Sequence, residues 1–215
     1  MAKSNLVQVA VIDHGLCNMN SIVRALEYCG GEVRIANSPE ELSGATHYVL
    51  PGVGAFPAAM RMLRKSGLAD ALTELVLGSR VPILGICLGM HLMMSTSEEF
   101  EETEGLGWVP GRVCRIEPGP GDRVPHVGWN TVVFDPDYNF AVEIEGFRDF
   151  YFTHSFHVVP EDPEVIAGTT PFAGTVVSAV QKGSISGVQF HPEKSQSSGF
   201  SILRAFLTSD HSSIC

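Results

Sequence analysis

Cys87 stands between two glycines in the segment VPILGICLGMHLMM, which spans residues 81–94. A short apolar run precedes it and an apolar run with helical character follows, so the cysteine lies at a predicted strand-to-helix junction. This is the layout of a nucleophile elbow, in which a sharp turn exposes the side chain above the sheet. The following helix N-terminus favours the thiolate, the nucleophilic form of cysteine. Free cysteines are also common core residues, so the motif alone leaves both interpretations open.

His191 and Glu193 form a second candidate group. They lie in GVQFHPE, residues 187–193, where proline ends a predicted strand and His191 is at its tip. Imidazole at that position can take the thiol proton and later return it. A carboxylate two residues further on can orient the ring and stabilise its charged form. A lone histidine at a strand end is more often structural, but in combination with Cys87 the catalytic interpretation is favoured.

A third segment, PGVG at residues 51–54, directly follows the apolar run HYVL. Its glycines permit backbone geometries that expose N–H groups, and two such donors can stabilise an oxyanion. For this tetrapeptide alone, a plain strand-to-helix turn is the simpler explanation.

The first half of the chain alternates between predicted strands and helices that position these groups. Apolar runs predict buried strands, and helical spacing predicts helices with a break near Gly67. The predicted strands are residues 7–12, 32–36, 47–50 and 81–86, and the predicted helices are residues 19–29 and 56–77. Ser38-Pro39-Glu40-Glu41 is predicted to be a capping box with proline at the first helical position.

From residue 113 onward strands dominate, with short turns such as Gln181-Lys182-Gly183 between them, and a final helix is predicted over 199–207. Sequential strands with short turns predict antiparallel additions to the sheet. The acidic run from Glu98 to Glu104 predicts a solvated loop. The predicted fold class is α/β: an open, mixed, mainly parallel sheet flanked by helices, with antiparallel additions in the second half. Functional groups in such sheets gather at the carboxyl ends of the strands.

Composition limits the classes of function. A chain of 215 residues with 44% hydrophobic and 18% charged residues predicts a single globular domain, residues 1–215. The net charge of −10 argues against a protein that binds nucleic acid. No run approaches the roughly 20 apolar residues of a membrane span, and the N-terminus lacks a secretory signal, so we expect a cytoplasmic protein. Five dispersed cysteines with no C-x-x-C pair argue against a disulfide framework or a zinc site.

Taken together, PGVGAF, GICLGM and GVQFHPEKS resemble the class I (triad-type) glutamine amidotransferase family. PHVGWN at 125–130, YFTHSF at 151–156 and VIDHGLCNMNS at 11–21 are similar to the glutaminase subunits of imidazole glycerol phosphate synthases, which act in histidine biosynthesis. The resemblance covers residues 7 to about 207. It implies a flavodoxin-like α/β fold, a glutaminase activity and no cofactor or metal.

The resemblance implies a role for each matched residue. Cys87 would attack the side-chain amide of glutamine, forming a γ-glutamyl thioester and releasing ammonia, with His191 as acid and base and Glu193 as its orienting partner. The backbone N–H of Leu88 and, after a peptide rearrangement, that of Val53 would form the oxyanion hole. The implied glutamine-binding residues are Gly52, Gly54, His91, Ser155 and Phe156.

The resemblance also implies a (β/α)8-barrel cyclase or synthase subunit as partner in a heterodimer. Ammonia is easily protonated or lost to water, so it would pass directly to that subunit, which would use it on a phosphoribosyl-bearing aminoimidazole carboxamide. Trp129 and Asn130 would lie at the interface, with the loop from Asp13 to Asn18 as a further contact. Ordinary core packing is an equally good explanation for Trp129.

One position departs from the family pattern. The residue four after the nucleophilic cysteine is Gln in most members, where its amide contacts the bound glutamine, but here it is His91, one helical turn beyond Cys87. Three consequences are open: a rearranged glutamine contact, weaker glutamine binding, or altered protonation of the nearby thiol. Because Cys87, His191 and Glu193 are intact, we expect activity with perturbed glutamine affinity.

Three other functions stay open on the residues. The chain could serve a related amidotransferase, such as one that amidinates surface-polysaccharide sugars, or it could be a pseudo-glutaminase that only regulates a partner. It could also be a cysteine hydrolase or peptidase on the same sheet, although PHVGWN and the D-x-G-x-x-N opening argue against that.

Overall fold

The computed structural model describes residues 7–119, 121, 123–138 and 148–209. Its main sheet has eight strands in the order β2-β1-β3-β4-β14-β13-β12-β9. The first five of these strands run parallel, and the last three are added antiparallel. The parallel strands are β1 Val7–Ile12, β2 Gly31–Ala36, β3 His47–Gly52, β4 Ile83–Cys87 and β14 Ile185–Val188. The antiparallel strands are β13 Val176–Lys182, β12 Ile166–Thr170 and β9 Val133–Phe134.

Helices cover both faces of this sheet because successive side chains of a strand point to opposite faces. Along β1, Ala10 and Ile12 belong to one buried cluster, and Val9 and Val11 belong to a second. The first cluster includes side chains of α2 Phe56–Ser66, α3 Leu68–Thr73 and α4 Leu88–Leu92. The second includes side chains of α1 Met19–Tyr28 and α5 Gln196–Thr208. The predicted α/β fold class is confirmed.

The second half of the chain differs from the prediction in one respect. Only part of its strands extend the main sheet, while the others form two small separate sheets. One is the antiparallel pair β8 His126–Thr131 and β10 Asp149–His154. The other has the order β11-β7-β5-β6, with β11 Phe156–Pro160, β7 Val109–Arg115, β5 Met94–Ser97 and β6 Thr103–Glu104. Alternation along a strand identifies its two faces but not the strand it pairs with, which is why the sequence placed all of these strands in one sheet.

The predicted break near Gly67 is confirmed. Gly67 adopts a left-handed φ of 78° and separates α2 from α3, which a π-helical segment at Glu74–Gly78 extends. The Ser38 capping box is present, but it begins only a short 3₁₀ turn, Pro39–Leu42. No helix in the described ranges is long and apolar enough to cross a membrane.

The sequence predicted a solvated loop for the acidic segment after β5, but two of its carboxylates are bound to other elements. Glu99 accepts a hydrogen bond from the backbone N–H of Phe56, at 2.8 Å, and Glu98 accepts one from that of Arg115, also at 2.8 Å. These two carboxylates therefore link the segment to the start of α2 and to the end of β7, while Phe100 is 87% exposed.

Candidate active site

Cys87 occupies a strained turn between β4 and α4. Its φ of 52° and ψ of −109° lie outside the regions that L-residues ordinarily adopt. A Cβ on Gly85 would lie 2.8 Å from the backbone of Gly89, and a Cβ on Gly89 would clash with the carbonyl oxygen of Leu50. Both glycines are therefore required for the close approach of α4 to β3 and β4. Residues held at such dihedral angles are concentrated at functional sites, so the local geometry fits a nucleophile elbow.

His191 comes beside Cys87 because their strands are neighbours. β14 pairs with β4 in parallel, with Val188 opposite Ile86, so the chain leaves both strands at the same edge of the sheet. The backbone N–H of His191 donates to the carbonyl of Tyr151 at 2.9 Å, and the Ser195 hydroxyl donates to the carbonyl of His191 at 2.6 Å. These two bonds hold the histidine backbone in place at the end of the strand.

The His191 ring is oriented by Glu193. Nδ1 lies 2.8 Å from Oε1 of Glu193, and the two side chains are only 2% and 8% exposed. A carboxylate only accepts, so Nδ1 carries a proton. Burial lowers the pKa of His191, but hydrogen bonding and charge from Cys87 and Glu193 outweigh burial and raise it to about 9. Nε2 forms no well-aligned hydrogen bond to a described residue, although the Cys87 thiol is close enough to act on the ring.

The PGVG turn lies against the same edge. Gly52 is opposite Cys87 in the register of β3 with β4, and Gly54 has a φ of 98° that favours glycine. The backbone N–H of Val53 donates to the carbonyl of Leu16 at 3.0 Å, so this donor is occupied. His14 holds the neighbouring peptide, with Nε2 2.9 Å from the carbonyl oxygen of Pro51.

A pocket of about 930 Å³ opens above these residues. Of the predicted glutamine-binding residues, Gly54, His91, Ser155 and Phe156 line it, whereas Gly52 does not. A Cβ on Gly52 would lie 3.0 Å from the side chain of Leu88, so this glycine packs closely against Leu88. Wall residues that the sequence did not indicate include Glu98, Glu99, Phe100, Arg115 and Thr153. No group of described side chains is arranged to bind a metal ion.

Comparison with known proteins identifies the family. Residues 10–209 match the family described as "Glutamine amidotransferase class-I". The chain belongs to the class I glutamine amidotransferase family. It is 43% identical to "Imidazole glycerol phosphate synthase subunit HisH" of Moorella thermoacetica, over 92% of this chain and 93% of that protein. It is 41% identical to "Imidazole glycerol phosphate synthase subunit HisH 2" of Vibrio vulnificus, over 94% of each chain.

A longer relative and a solved structure extend the comparison. The chain is 39% identical to "Imidazole glycerol phosphate synthase hisHF, chloroplastic" of Arabidopsis thaliana, over 93% of this chain and 34% of that protein. Among solved structures, a chain of PurLQS from Thermotoga maritima superposes with a TM-score of 0.74 at 17% identity, covering 93% of this chain and 97% of that one. That likeness shows the class I amidotransferase fold.

His91, the position that departs from the amidotransferase pattern, is buried and contacts a residue that the sequence did not single out. Its Nε2 lies 2.8 Å from Oε1 of Gln189, whose Nε2 lies 3.7 Å from the Cys87 sulfur. Burial, together with the nearby His157, lowers the pKa of His91 to about 4, against a hydrogen bond to Gln189 that raises it. His91 is therefore neutral at pH 7. Gln189 lies two residues before His191, and this closeness to a candidate catalytic residue was the only sequence feature that could have indicated a place in the site.

A second group of histidines connects the pocket wall to β8. Nδ1 of His154 lies 2.8 Å from the carbonyl oxygen of Phe156, and its Nε2 lies 2.9 Å from Nδ1 of His126. The amide of Asn130 lies 3.2 Å from Nε2 of His126. Burial is the largest cause that lowers the pKa of His154 to about 3, so the ring is neutral and hydrogen-bonded.

The predicted partner-contact residues lie at the surface. Trp129 is 50% exposed, so the alternative that it packs in the core is wrong. Val127, two residues earlier on the same face of β8, is 57% exposed. Asn18 is exposed at the start of α1, and Asn130 is partly buried. The Trp129 ring packs edge-on against Tyr151, with centroids 6.2 Å apart.

The four cysteines in the described part of the chain, Cys17, Cys29, Cys87 and Cys114, are free thiols. Cys215 lies outside the described residues. Burial is the main cause that raises the pKa of Cys17 to about 11, so this thiol is protonated at neutral pH.

Proposed function

We propose that this chain is the glutaminase subunit of an imidazole glycerol phosphate synthase, with Cys87 as nucleophile, His191 as acid and base, and Glu193 as its orienting carboxylate. The observation that carries the proposal is the strained turn at Cys87, which lines the pocket and lies beside the buried His191–Glu193 pair, whose Nδ1 and Oε1 are 2.8 Å apart. The similarity of about 40% to HisH subunits over nearly the whole chain supports the same function.

In the first half-reaction the Cys87 thiolate attacks the carboxamide carbon of glutamine. As the tetrahedral intermediate collapses, the C–N bond breaks, and His191 gives its Nε2 proton to the leaving nitrogen, which departs as ammonia. The product is a γ-glutamyl thioester on Cys87. In the second half-reaction His191 takes a proton from water, the resulting hydroxide attacks the thioester carbon, and glutamate and the Cys87 thiolate are released.

Both steps place negative charge on the former amide oxygen, which needs backbone donors. The N–H of Leu88, at the start of α4, is the proposed first donor. The N–H of Val53 is the proposed second, and it must first leave the carbonyl of Leu16, 3.0 Å away. A peptide rotation at Val53 is therefore a required step, and glutamine hydrolysis is limited until it occurs.

The pocket has the charges that the amino-acid head of glutamine requires. Glu98 and Glu99 lie on its wall and can receive the ammonium group, while Arg115 can receive the carboxylate. With Gly54, Ser155 and Phe156, which line the same wall, they are the proposed glutamine-binding residues. Gly52 packs against Leu88, which lines the pocket.

The proposed partner is a (β/α)8-barrel synthase subunit, which receives the ammonia. The Arabidopsis relative supports a second unit, because this chain spans only 34% of a protein named hisHF. Asn18, Trp129 and Asn130 are the proposed contact residues, and the half-exposed Trp129 supports this assignment. The free thiols support a reducing, cytoplasmic location.

Glutamate release from glutamine tests the proposal. The assay is run on the chain alone and with a barrel cyclase subunit and its ligand, and imidazole glycerol phosphate formation is followed in parallel. We expect Cys87→Ala to reduce glutamate release at least about 10³-fold, because the covalent route is lost. Cys29→Ala, which removes another free thiol, is the control and should keep full activity.

The outcomes separate the candidate functions. Absence of glutamate release in both states, with the Cys87 thiol intact, would contradict the glutaminase assignment and favour a regulatory subunit. Glutamate release without imidazole glycerol phosphate formation would leave the glutaminase in place and point to a different synthase partner.

A further inference from the structure

A buried hydrogen-bonded chain joins α4 to the end of β14 and reaches the nucleophile. It runs from Nε2 of His91 to Oε1 of Gln189 at 2.8 Å, and from Nε2 of Gln189 to the Cys87 sulfur at 3.7 Å. The second distance is long for nitrogen and oxygen but within the range of a bond to the larger sulfur atom. The side chains of His91, Gln189 and Cys87 are 5%, 0% and 7% exposed, so these contacts are largely shielded from solvent.

The chemistry of the groups determines which of them donates each hydrogen bond and which accepts it. The amide oxygen of Gln189 can only accept, so Nε2 of His91 must carry the hydrogen. His91 is neutral at pH 7, because burial lowers its pKa to about 4, and its single ring proton is then the one on Nε2. With its oxygen held by His91, the Gln189 amide presents N–H to the sulfur.

The opposite orientation of the amide would be unfavourable for catalysis. A rotated Gln189 would direct its oxygen at the sulfur, and a thiolate beside a carbonyl oxygen is repelled. It would also require the His91 proton to move from Nε2 to Nδ1, so that Nε2 could accept from the amide. Only the observed orientation stabilises the charged form of Cys87.

We propose that Gln189 is a catalytic residue that donates a hydrogen bond to the Cys87 thiolate, and that His91 is a positioning residue that holds the Gln189 amide in the donating orientation. This inference rests on the proposed function only in that Cys87 is the nucleophile. It assigns His91 a role through the thiol, and not the glutamine contact that the family pattern implies for this position.

A glutamine at position 91 would serve this role less well than histidine. Its amide has a donor and an acceptor on one rotatable group, so it could bond to Gln189 in either orientation. A neutral imidazole with its proton on Nε2 offers only a donor at that place. We therefore expect His91→Gln to retain part of the effect, and an apolar residue to retain none.

The test is the pH dependence of alkylation of Cys87 by iodoacetamide, followed on the Cys87 peptide by mass spectrometry so that other thiols do not contribute. Two variants interrupt the hydrogen bonds between His91 and Cys87 at different points. His91→Leu removes the positioning donor, and Gln189→Met replaces the amide with an apolar side chain of similar length. We expect the alkylation midpoint to rise by about one to two pH units in both, which is roughly a 10- to 100-fold loss of thiolate below the midpoint. The alkylation midpoint of His91→Gln should lie between the midpoints of these two variants and that of the parent.

Met90→Leu is the matched control. Met90 is a buried neighbour of His91 on α4 that packs against Gly187 and takes no part in the hydrogen bonds from His91 to Cys87. Its midpoint should equal that of the parent. Other charged or titratable groups act on the site from several elements, but every variant keeps them, so they cannot cause a difference. They are His191, Glu193, His154, His157, Glu98, Glu99 and Arg115.

An unchanged midpoint in a folded His91→Leu or Gln189→Met protein would overturn the inference, and either variant suffices if the other does not fold. Steady-state kinetics of the same variants give a second readout. If His91 acts through Gln189 on the thiolate, kcat falls; if His91 contacts glutamine directly, KM rises and the alkylation midpoint is unchanged. A shifted midpoint in a protein that releases no glutamate would support the inference and contradict the proposed glutaminase, so the two failures are distinguishable.

Discussion

At neutral pH His191 is positively charged and His91 is neutral, because their buried partners differ. Both rings lose solvation on burial, which disfavours the charged form. For His191, the Cys87 thiol and the Glu193 carboxylate reverse that effect and raise the pKa to about 9. For His91 the partner is the neutral amide of Gln189, which does not offset burial, so the pKa falls to about 4. One ring can therefore donate a proton while the other stays a fixed hydrogen-bond donor.

The lowered pKa of His91 predicts a loss of stability in acid. The unfolded state binds a proton near pH 6.5 but the folded state only near pH 4, so the folded state becomes less stable as the pH falls through this window. His91→Gln removes this penalty. We compare the free energy of unfolding of the variant with that of the parent at each pH. The difference should be more favourable to the variant at pH 5 than at pH 7.5, by on the order of 1–2 kcal/mol. Urea unfolding at the two pH values measures it, and an equal difference at both would contradict it.

At the scale of elements, the turn from β4 into α4 depends on how closely the helix approaches its neighbours. α4 is only five residues long, Leu88–Leu92, and the chain then enters β5 instead of continuing as helix. The helix has too few internal hydrogen bonds to be stable by itself. Its position is set by contact with β3 and β4 through Gly89 and Gly85, and that contact gives Cys87 its positive φ.

Gly89→Ala should therefore destabilise the protein strongly. Its Cβ would clash with the carbonyl oxygen of Leu50, and both groups belong to backbone that cannot move independently. We expect a loss of about 2–4 kcal/mol in the free energy of unfolding, measured by urea titration. Gly78→Ala is the matched control, because a Cβ there has no neighbour within 4 Å, and it should change stability by less than about 0.5 kcal/mol. Equal effects would contradict the packing argument.

At the scale of the whole molecule, two large apolar side chains on one face of β8 point outward together. Val127 and Trp129 alternate with inward-facing residues and are 57% and 50% exposed. Asn130, on the same strand, leads through His126 and His154 to the carbonyl of Phe156 at the pocket wall. A partner docked on β8 would therefore contact a strand that is connected to the proposed glutamine site.

Trp129→Ala should weaken binding of the barrel synthase subunit. Large aromatic side chains dominate the binding energy of such interfaces, so we expect a roughly 10- to 100-fold higher Kd, measured by isothermal titration calorimetry. Leu77→Ala is the control, because Leu77 is exposed to a similar degree, 52%, on another element. Equal Kd values for Trp129→Ala and the parent would place the interface elsewhere.

Elements and chemistry that are encoded locally could be predicted from the sequence. The apolar runs located β1, β3 and β4, the glycines beside Cys87 indicated the strained turn, and the two-residue spacing of His191 and Glu193 indicated their pairing. These features depend on residues close together in the chain, where spacing translates directly into geometry.

Contacts between residues far apart in the sequence are visible only in the folded protein. It separated β8 and β10 from the main sheet, exposed Trp129, joined Glu99 to the start of α2, and brought His91 to Gln189, 98 residues away. Local periodicity assigns a side chain to a face but carries no information about its neighbour on another element. For that reason the departure at position 91 was visible in the sequence, while its contact with the residue beside the thiol was not.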